Sequence, residues 1–380
     1  MDLKQIRAEI DTIDAQITEL LRRRMEVSGK VAAYKKENNM PITDRARERE
    51  VLMRVSDQIG PGMEVYARAL YATLFSVSRA YQQKITRPSA ALGESIQKAC
   101  EQTPSVFPQR ALVACQGVEG AYSQQACDRL FAAANIVYFT SFDGVFSAVE
   151  KGLCQYGILP IENSSHGSVG AVYDLMRSHK FHIVRSVKLL VQHALLARPG
   201  VSLKDIKEIY SHEQAIGQCS RFLCENPQIK VTVVENTAMA AQMVAMTERR
   251  DVAAISSQNC AELYGLAVLT ENMQNSAHNY TRFICIAKEL LIFPGANRIS
   301  LMIEIPHKPG ALYELIARFA VHGLNLTKLE SRPMPGKNFE FMFYFDLEAS
   351  VLANETVELL EAIISENDSC AFLGSYQEIG

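Results

Sequence analysis

The first forty residues contain a longer stripe of apolar residues than one compact domain can bury. The stripe alternates steps of four and three residues, the pattern of an amphipathic helix; its members are Ile6, Ile10, Ile13, Ile17, Leu20, Val27, Val31 and Tyr34. Met40 and Pro41 end it. A helix of about 34 residues is about 50 Å long, whereas a compact 100-residue domain has a radius of gyration of about 13 Å. We therefore expect this helix to pack against a partner chain.

One position of the stripe departs from the pattern. The register calls for an apolar residue at position 24, and the sequence has Arg24. A buried cation is costly unless an anion compensates it, so an acidic side chain or an anionic ligand is expected beside it. Lys35 lies on the same helix face. The alternative is that Arg22, Arg23 and Arg24 form a solvated run; the register of Arg24 argues against it.

Two shorter helices are predicted next. Thr43 or Asp44 caps the second helix, and IGPG at 59–62 ends it. The third helix is predicted to end before Pro88. Candidate polar residues share faces of these helices at i, i+3 and i+4: Asp44, Arg47 and Glu48 on the second, and Ser78 and Gln82 on the third. Arg7 points away from Arg24 on its own helix, and we expect it to serve a site in a partner chain.

The rhythm changes twice in the remaining sequence. From residue 111, short apolar runs alternate with helical segments, which is typical of an α/β fold; the run FHIVRSVKLLVQHALLA is expected to cross between two lobes with a ligand cleft. From residue 298 the order βαββαβ predicts an α+β, ferredoxin-like unit. A length of 380 residues fits two or three domains.

Composition excludes several classes of protein. Hydrophobic residues make up 48% and charged residues 21% of the chain, which excludes a largely disordered or collagen-like protein. A net charge of −3 gives no general attraction to nucleic acid or to a membrane. The nine cysteines form no CxxC pair and are expected to be reduced core thiols. With no leader or apolar span recognised, a cytoplasmic location is predicted.

The middle segment has polar loops and no cofactor motif. It lacks a dinucleotide fingerprint, a Walker loop, a GxSxG elbow and a convincing metal spacing, so neither cofactor nor metal is expected. His179 and His182 are interpreted as structural or surface residues. Uncharged polar residues follow apolar strands in ILPIENSSHGSVG, IYSHEQAIGQC and NYTRF. Each loop alone fits turn chemistry, whereas the three together favour a binding site at strand ends.

The first 85 or so residues resemble the all-helical chorismate mutase family, through IRAEIDTID, LLRRRMEVSGKVAAYK, DRARERE and SRAYQQ. The resemblance implies an intertwined dimer and a pericyclic rearrangement of chorismate to prephenate, catalysed by positioning and electrostatics. Arg7, Arg24 and Arg47 would hold carboxylates. Lys35 and Gln82 would donate to the ether oxygen, and Glu48 would accept the ring hydroxyl. Asp44 and Ser78 would orient their neighbours and the second carboxylate.

The middle segment resembles prephenate dehydratase, through SFDGVFSAVEKG, PIENSSHGSV, SHEQAIGQC and NYTRF. The resemblance implies loss of CO₂ and the ring hydroxyl of prephenate to give phenylpyruvate, with Thr281 as the general acid. Asn163, Ser211 and Gln218 would orient the ring, and we infer that Arg282 anchors a carboxylate. Glu213 and Val118 stand where the family usually has proline; we expect activity to survive both.

The last segment resembles an ACT domain, through KPGALYEL and LNLTKLESRP. The resemblance implies a phenylalanine effector site and feedback inhibition; its residues would be Gly310, Ala311, Leu312, Asn325, Glu330, Ser331 and Arg332. The alternative is that GAL only begins a helix and ESRP only ends a strand.

The combined prediction is a bifunctional enzyme of phenylalanine biosynthesis. Its domains are an all-α mutase at 1–87, a linker at 88–108, a two-lobed α/β dehydratase at 109–290 and an ACT domain at 297–377. Chorismate and prephenate are the expected substrates and L-phenylalanine the effector, in a homodimer or higher homo-oligomer. Two alternatives stay open: an arogenate dehydratase, and a regulator that binds aromatic acids without turnover.

Overall fold

The computed structural model describes residues 2–86, 91–336, 340–367 and 369–380, apart from the side chains at 83 and 84. Four helices come first along the chain: α1 (Leu3–Glu37), α2 (Arg45–Ile59), α3 (Glu64–Thr86) and α4 (Ala91–Gln102). The predicted linker at 88–108 contains α4, which the sequence analysis missed. Part of that predicted linker, 88–90, lies outside the described residues.

The middle of the chain alternates strands and helices. The first group of elements is β1 (Arg110–Gln116), α5 (Tyr122–Leu130), β2 (Ala133–Phe139), α6 (Phe142–Glu150), β3 (Tyr156–Asn163), β4 (Gly167–Ser168), α7 (Gly170–Met176) and β5 (His182–Leu190). The second group is β6 (Ala194–Ala197), β7 (Glu208–Ser211), α8 (Glu213–Gln218), α9 (Ser220–Glu225), β8 (Lys230–Val233), α10 (Thr237–Met246), β9 (Val252–Ser256), α11 (Asn259–Tyr264), β10 (Ala267–Thr270) and β11 (Tyr280–Ala287). A short 3₁₀ turn covers Leu203–Asp205.

The last elements are β12 (Arg298–Ile305), α12 (Ala311–Val321), β13 (Asn325–Pro333), β14 (Phe341–Glu348), α13 (Asn354–Glu366) and β15 (Cys370–Ile379). The chain divides into two compact units. The first contains Met1–Ser95, Pro306–Gly323 and Leu352–Asp368; the second contains Ile96–Ile305, Leu324–Val351 and Ser369–Gly380.

In the first unit, the two halves of α1 differ in their packing. Asp2 caps the helix, and its side chain accepts a hydrogen bond from the amide of Lys4. The C-terminal half packs against α3, where a Cβ at Gly29 would lie 3.2 Å from Cδ1 of Ile85. The apolar stripe is nevertheless exposed along both halves, with Ile10 at 51% and Val27 at 56%. The helix therefore presents an uncovered apolar stripe along its length.

The second unit contains two sheets. The larger has the strand order β13-β14-β12-β15-β5-β11-β3-β1-β2, with β4 paired to β3. The smaller has the order β10-β6-β9-β7-β8. The predicted crossing between two lobes is confirmed, because β5 belongs to the larger sheet and β6 to the smaller one. Residues 271–279 lead back from β10 to β11, so two crossover segments join the lobes.

The larger sheet runs without a break from the middle segment into the last one. β15 pairs in parallel with β5, with Gln377 opposite Arg185, and pairs antiparallel with β12. The approach is close at Gly374, where a Cβ would lie 2.2 Å from the carbonyl oxygen of Ile183, so a larger side chain does not fit. Tyr344 of β14 donates a 2.6 Å hydrogen bond to the carbonyl of Tyr173 in α7.

Apolar side chains fill both faces of the larger sheet. Phe146 of α6 and Tyr173 of α7 pack on one face, together with Tyr376 of β15. Cys127 of α5 packs on the other. All nine cysteines are free, and Cys224 is exposed rather than part of the core as predicted. Among the described residues, no helix is both long enough and apolar enough to cross a membrane.

Candidate functional site

Arg24 lies at the contact between α1 and α3. Its guanidinium donates to the hydroxyl of Ser78 and, at 3.3 Å, to the carbonyl of Leu74. Ser78 is 5% exposed and Arg24 is half-buried. The structure thus brings together two of the predicted residues, and Arg24 has a hydroxyl and a carbonyl rather than a carboxylate as its described partners. Its charge is left for an anion to compensate.

Other predicted charged residues of α1 and α2 form hydrogen bonds or ion pairs within the helical segment. Glu48 accepts a hydrogen bond from Arg79 of α3, a residue that the sequence analysis missed. Lys35 donates to the carbonyl of Ile42. Asp44 caps α2 by accepting from the amide of Arg47 at 3.0 Å, and the side chain of Arg47 pairs with Glu50 at 2.7 Å on the surface.

Gln82 offers an unused acceptor in the first unit. Its side chain is 8% exposed, and its Oε1 is buried without a hydrogen-bond partner among the described residues. A buried amide oxygen without a partner costs free energy, so such an atom points to a missing donor. Arg7, by contrast, is exposed in the uncovered half of α1, and no described contact brings it to Arg24.

In the second unit, two predicted residues meet at the end of adjacent strands. Thr281 of β11 lies opposite Asn163 of β3 in the sheet, and Nδ2 of Asn163 is 2.9 Å from Oγ1 of Thr281. Oδ1 of Asn163 accepts from the backbone amides of Ser165 at 2.9 Å and His166 at 3.0 Å. The loop of the PIENSSHGSV motif therefore holds the Asn163 amide in place.

Three further side chains extend this contact across the lobes. Nδ2 of Asn163 is also 2.9 Å from Oδ1 of Asn279, and Nδ2 of Asn279 is 2.9 Å from Oε1 of Gln218 in the second lobe. The same oxygen of Gln218 lies 2.7 Å from Nε2 of His193. Asn279 is 1% exposed and His193 is 3% exposed. We name Asn163, Thr281, Asn279, Gln218 and His193 the amide chain.

The amide chain carries no formal charge. Burial lowers the pKa of His193, although its hydrogen bond to Gln218 acts in the opposite direction. Because the ordinary pKa of histidine is about 6.5, a lowered value leaves the imidazole neutral at pH 7. Neutral donors and acceptors placed around a threonine hydroxyl suit the orientation of a polar substrate rather than hydrolysis by a charged acid–base pair.

Ser211 and Arg282 lie outside the amide chain. Ser211 is fully buried and donates at 2.7 Å to the carbonyl of Ile255. Arg282 is 5% exposed and forms ion pairs with Asp346 of β14, with Glu162 at 3.2 Å and with Glu378 at 3.6 Å. The predicted role of Arg282 as a substrate anchor is corrected to a structural one, because its guanidinium is occupied by three carboxylates.

The predicted effector residues divide between the two units. Gly310 has a φ of +84° and precedes α12, with Ala311 and Leu312 in the first turn. In the second unit, Asn325 donates to Glu348 at 3.1 Å. Glu330 accepts from Ser168 at 2.6 Å, and Arg332 holds Asp174 of α7 through two hydrogen bonds of 2.9 and 2.6 Å. Ser331 lies opposite Phe343 in the sheet. The ESRP strand therefore contacts the middle segment directly.

Comparison with known proteins decides the family. The family model for chorismate mutase type II matches residues 6–83, and that for prephenate dehydratase matches residues 113–290. The bifunctional chorismate mutase/prephenate dehydratase of Escherichia coli (strain K12) is 32% identical over 382 residues, which cover 98% of this chain and 96% of that protein. This chain belongs to the bifunctional chorismate mutase/prephenate dehydratase family. Both predicted resemblances are confirmed.

Other relatives match about 70% of the chain. Arogenate dehydratase/prephenate dehydratase 2 of Arabidopsis thaliana is 38% identical over 279 residues, 70% of this chain and 73% of that protein. The solved prephenate dehydratase of Arthrobacter aurescens in complex with L-Phe is 29% identical with a TM-score of 0.64, and covers 70% of this chain and 89% of that chain. The bifunctional relative is the one of these three that spans the helical segment as well.

The structure accommodates one of the predicted departures. Glu213, where the resemblance implied a proline, is the first residue of α8, directly after the capping residue His212. Proline is favoured at the first helical position because its missing N–H is not needed there. Glutamate is also favourable at a helix start, because its negative charge interacts favourably with the partial positive charge at the helix N-terminus. The replacement is therefore compatible with the local backbone.

Proposed function

We propose that this protein catalyses two successive reactions, chorismate to prephenate and prephenate to phenylpyruvate, CO₂ and water. The observation that carries the dehydratase reaction is the contact of Asn163 with Thr281 inside a neutral chain of side chains that joins the two lobes. The support from relatives is the whole-chain similarity to the bifunctional enzyme of E. coli. The helical segment supplies prephenate directly, which favours prephenate over arogenate.

For the mutase step, we propose that Arg24 binds a substrate carboxylate and that Ser78 orients it. The ether bond becomes polarised in the transition state, so a donor beside its oxygen accelerates the rearrangement. Lys35 and Gln82 are the proposed donors, Glu48 the proposed acceptor for the ring hydroxyl, and Asp44 and Arg47 the supporting residues. Gln82 would donate through its amide nitrogen, whereas its buried Oε1, which has no partner among the described residues, would accept from another donor.

For the dehydratase step, Thr281 donates to the ring hydroxyl that leaves. The electron pair of the bond to the departing CO₂ moves into the ring, and the C–O bond breaks with its electrons on oxygen. That oxygen takes the Thr281 proton and becomes water, and Thr281 regains a proton from solvent. A threonine hydroxyl is a weak acid, so formation of the aromatic ring drives the step. Asn163, Gln218 and Ser211 are the proposed residues that position the ring and its surroundings.

A homodimer or higher homo-oligomer is proposed on the packing of α1. Its exposed stripe, with Ile10 at 51% and Ile13 at 48% exposure, needs an apolar cover. Arg7 lies on the same uncovered half of α1, so a second copy that covers the stripe also receives Arg7 near its own helices.

The proposed domain boundaries are 1–87, 109–290 and 297–377, with 88–108 as the linker that contains α4.

The last segment is proposed to be a ferredoxin-like ACT domain that binds L-phenylalanine. Its strand order β13-β14-β12-β15 and its antiparallel pairings support that fold. The relative solved with L-Phe supports the effector. The proposed effector residues remain Gly310, Ala311, Leu312, Asn325, Glu330, Ser331 and Arg332. Nine free thiols favour a reducing compartment, which we propose is the cytoplasm.

The test is turnover of the purified protein on chorismate, prephenate and arogenate. Phenylpyruvate formed from chorismate, and suppressed by phenylalanine, is the expected result. Accumulation of prephenate together with rapid turnover of arogenate would favour the arogenate dehydratase alternative. Binding of all three acids without any turnover would favour the regulator.

A further inference from the structure

The direction of every hydrogen bond in the amide chain follows from two backbone amides. Oδ1 of Asn163 accepts from the N–H groups of Ser165 and His166, at 2.9 and 3.0 Å. A backbone N–H only donates, so the atom facing these groups must be the oxygen of the Asn163 amide. Its nitrogen therefore faces Thr281 and Asn279 and donates to both, at 2.9 Å each.

The orientation of the Asn163 side chain fixes the orientation of the next members of the amide chain. The atom of Asn279 that faces Nδ2 of Asn163 must be its oxygen, so its own Nδ2 faces Gln218 and donates at 2.9 Å. Oε1 of Gln218 then accepts a second hydrogen bond from Nε2 of His193 at 2.7 Å, which requires the proton on Nε2. Nε2 of Gln218 donates to Nδ1 of His166 at 3.2 Å.

The consequence at Thr281 concerns its hydroxyl proton. A hydroxyl has one proton and two acceptor lone pairs. Oγ1 of Thr281 accepts from Asn163, and none of the contacts described for it uses the proton. The proton is therefore available to a substrate, and accepting a hydrogen bond polarises the hydroxyl and strengthens it as a donor.

The two buried members of the chain occupy the crossovers between lobes. His193 lies between β5 and β6, and Asn279 immediately precedes β11. The amide of Val191, on the first crossover, donates at 2.7 Å to the carbonyl of Asn279, on the second. His193 and Asn279 thus hold Gln218 of the second lobe in register with Asn163 of the first.

We propose that Asn279 and His193 are positioning residues of the dehydratase reaction, which fix the direction of the amide chain so that Thr281 presents its proton to the substrate. This inference rests on the proposed dehydratase function. Neither residue acts on the substrate itself: Asn279 keeps the Asn163 and Gln218 amides in one orientation, and His193 keeps Gln218 from reversing.

The test is Asn279→Asp, which preserves the shape of the side chain and replaces the donor toward Gln218 with an acceptor. Two acceptors then face each other, and we expect the kcat for prephenate to fall roughly 10- to 100-fold at neutral pH, with a smaller change in KM. Protonation of the new carboxyl restores a donor, so the deficit relative to wild type shrinks as the pH falls. The unfolding free energy of the variant, measured over the same pH range, separates this recovery of kcat from simple relief of a buried charge.

Asn135→Asp is the matched control, because Asn135 is an exposed residue on β2 of the same lobe.

His193→Phe and His193→Gln form a second test: the phenylalanine removes the donor, and the glutamine can replace it. We expect the glutamine variant to retain more activity, with circular dichroism confirming that all variants are folded.

The outcomes separate this inference from the proposed function. If wild-type protein does not turn over prephenate, the proposed dehydratase function fails. If wild type is active and Asn279→Asp matches it across the pH range, or if its deficit is the same at every pH, the positioning role is wrong. Equal losses in the two folded His193 variants would also contradict it.

Discussion

The two candidate sites solve the problem of binding an acidic substrate in opposite ways. The proposed helical site uses charged side chains, with Arg24 and Lys35 on a helix whose apolar stripe is exposed. The dehydratase site uses neutral amides, with Asn279 and His193 nearly completely buried. The first is proposed to need a second copy of the chain, whereas the second is assembled from four segments of the same chain.

The difference follows from what each fold can bury. Three helices offer few buried positions, so a site built on them relies on long cationic side chains and, as we propose, on a second copy. Two lobes joined by two crossovers bury polar groups deeply and satisfy them with one another. We therefore expect mutase activity to fall on dilution and when a single charge is removed. We expect dehydratase activity to fall when the direction of a hydrogen bond is changed.

The largest expected effect is that of Arg24→Ala on the mutase. Loss of one preorganised donor to a developing charge typically costs about 10²- to 10³-fold in rate, and we expect a loss of this size in chorismate turnover. Turnover of added prephenate should not change, because the amide chain is untouched. Both are measured on one preparation of the variant.

Arg22→Ala is the matched control for this change. Arg22 is exposed and pairs with Glu19 at 2.7 Å on the helix surface, where such pairs contribute little. If Arg24→Ala keeps the wild-type mutase rate, as we expect of Arg22→Ala, the solvated-run interpretation of the three arginines is supported.

The next effect concerns stability in the second unit. Arg282→Met leaves Asp346 and Glu162 without their shared guanidinium, and removing one partner of a buried ion pair typically costs about 3–5 kcal/mol. We expect the unfolding transition that contains the larger sheet to shift to lower urea concentration. Arg250→Met, at an exposed position of the same unit, is the control and should unfold as wild type does. Coincident curves for both variants would show that the ion pairs do not stabilise the sheet.

A smaller effect is expected from the apolar stripe of α1. Burying an isoleucine is worth about 1.5–3 kcal/mol, and a dimer contains two copies, so Ile10→Asp should raise the dimer dissociation constant at least about 100-fold. Mutase activity per chain should then fall on dilution while dehydratase activity persists, as measured alongside sedimentation velocity. Ala15→Asp places the same charge on the opposite helix face. Dissociation in both variants alike would argue against the stripe as the interface.

The smallest effect is a pH dependence far from either site. Hydrogen bonds from Lys230, Thr232 and Arg249 lower the pKa of Glu208 to about 2. Because the folded pKa lies below the ordinary value of about 4.3, this contribution to stability is complete above that value and is lost as the pH falls towards 2. Lys230→Met should flatten the decline of unfolding free energy in that window, and Lys151→Met, at an exposed position of the same unit, should not. Equal slopes in both variants would contradict this assignment.

Local patterns predicted the first three helices and the lobe crossing, missed α4, and failed where contacts join distant segments. The register of Arg24 and the cap at Asp44 are properties of one helix each and were visible in the sequence. Arg79 was missed because its partner Glu48 lies on another helix. His193 and Asn279 were missed because their chain joins residues up to 118 positions apart, from Asn163 to Thr281.

The placement of Arg282 was within reach of the sequence. Thr281 and Arg282 are neighbours in β11, and successive side chains in a strand point to opposite faces. If Thr281 faces the site, Arg282 faces away from it. The three carboxylates that receive it, from β3, β14 and β15, required the fold to identify.

The pairing of β15 with β5 has a consequence for how such genes are recombined. A cut that separates the last segment from the middle one would expose two unpaired strand edges, on β5 and on β15, and exposed edges promote aggregation. The middle segment and the last segment are therefore expected to be inherited, exchanged and engineered together. Their boundary in sequence is not a boundary in the sheet.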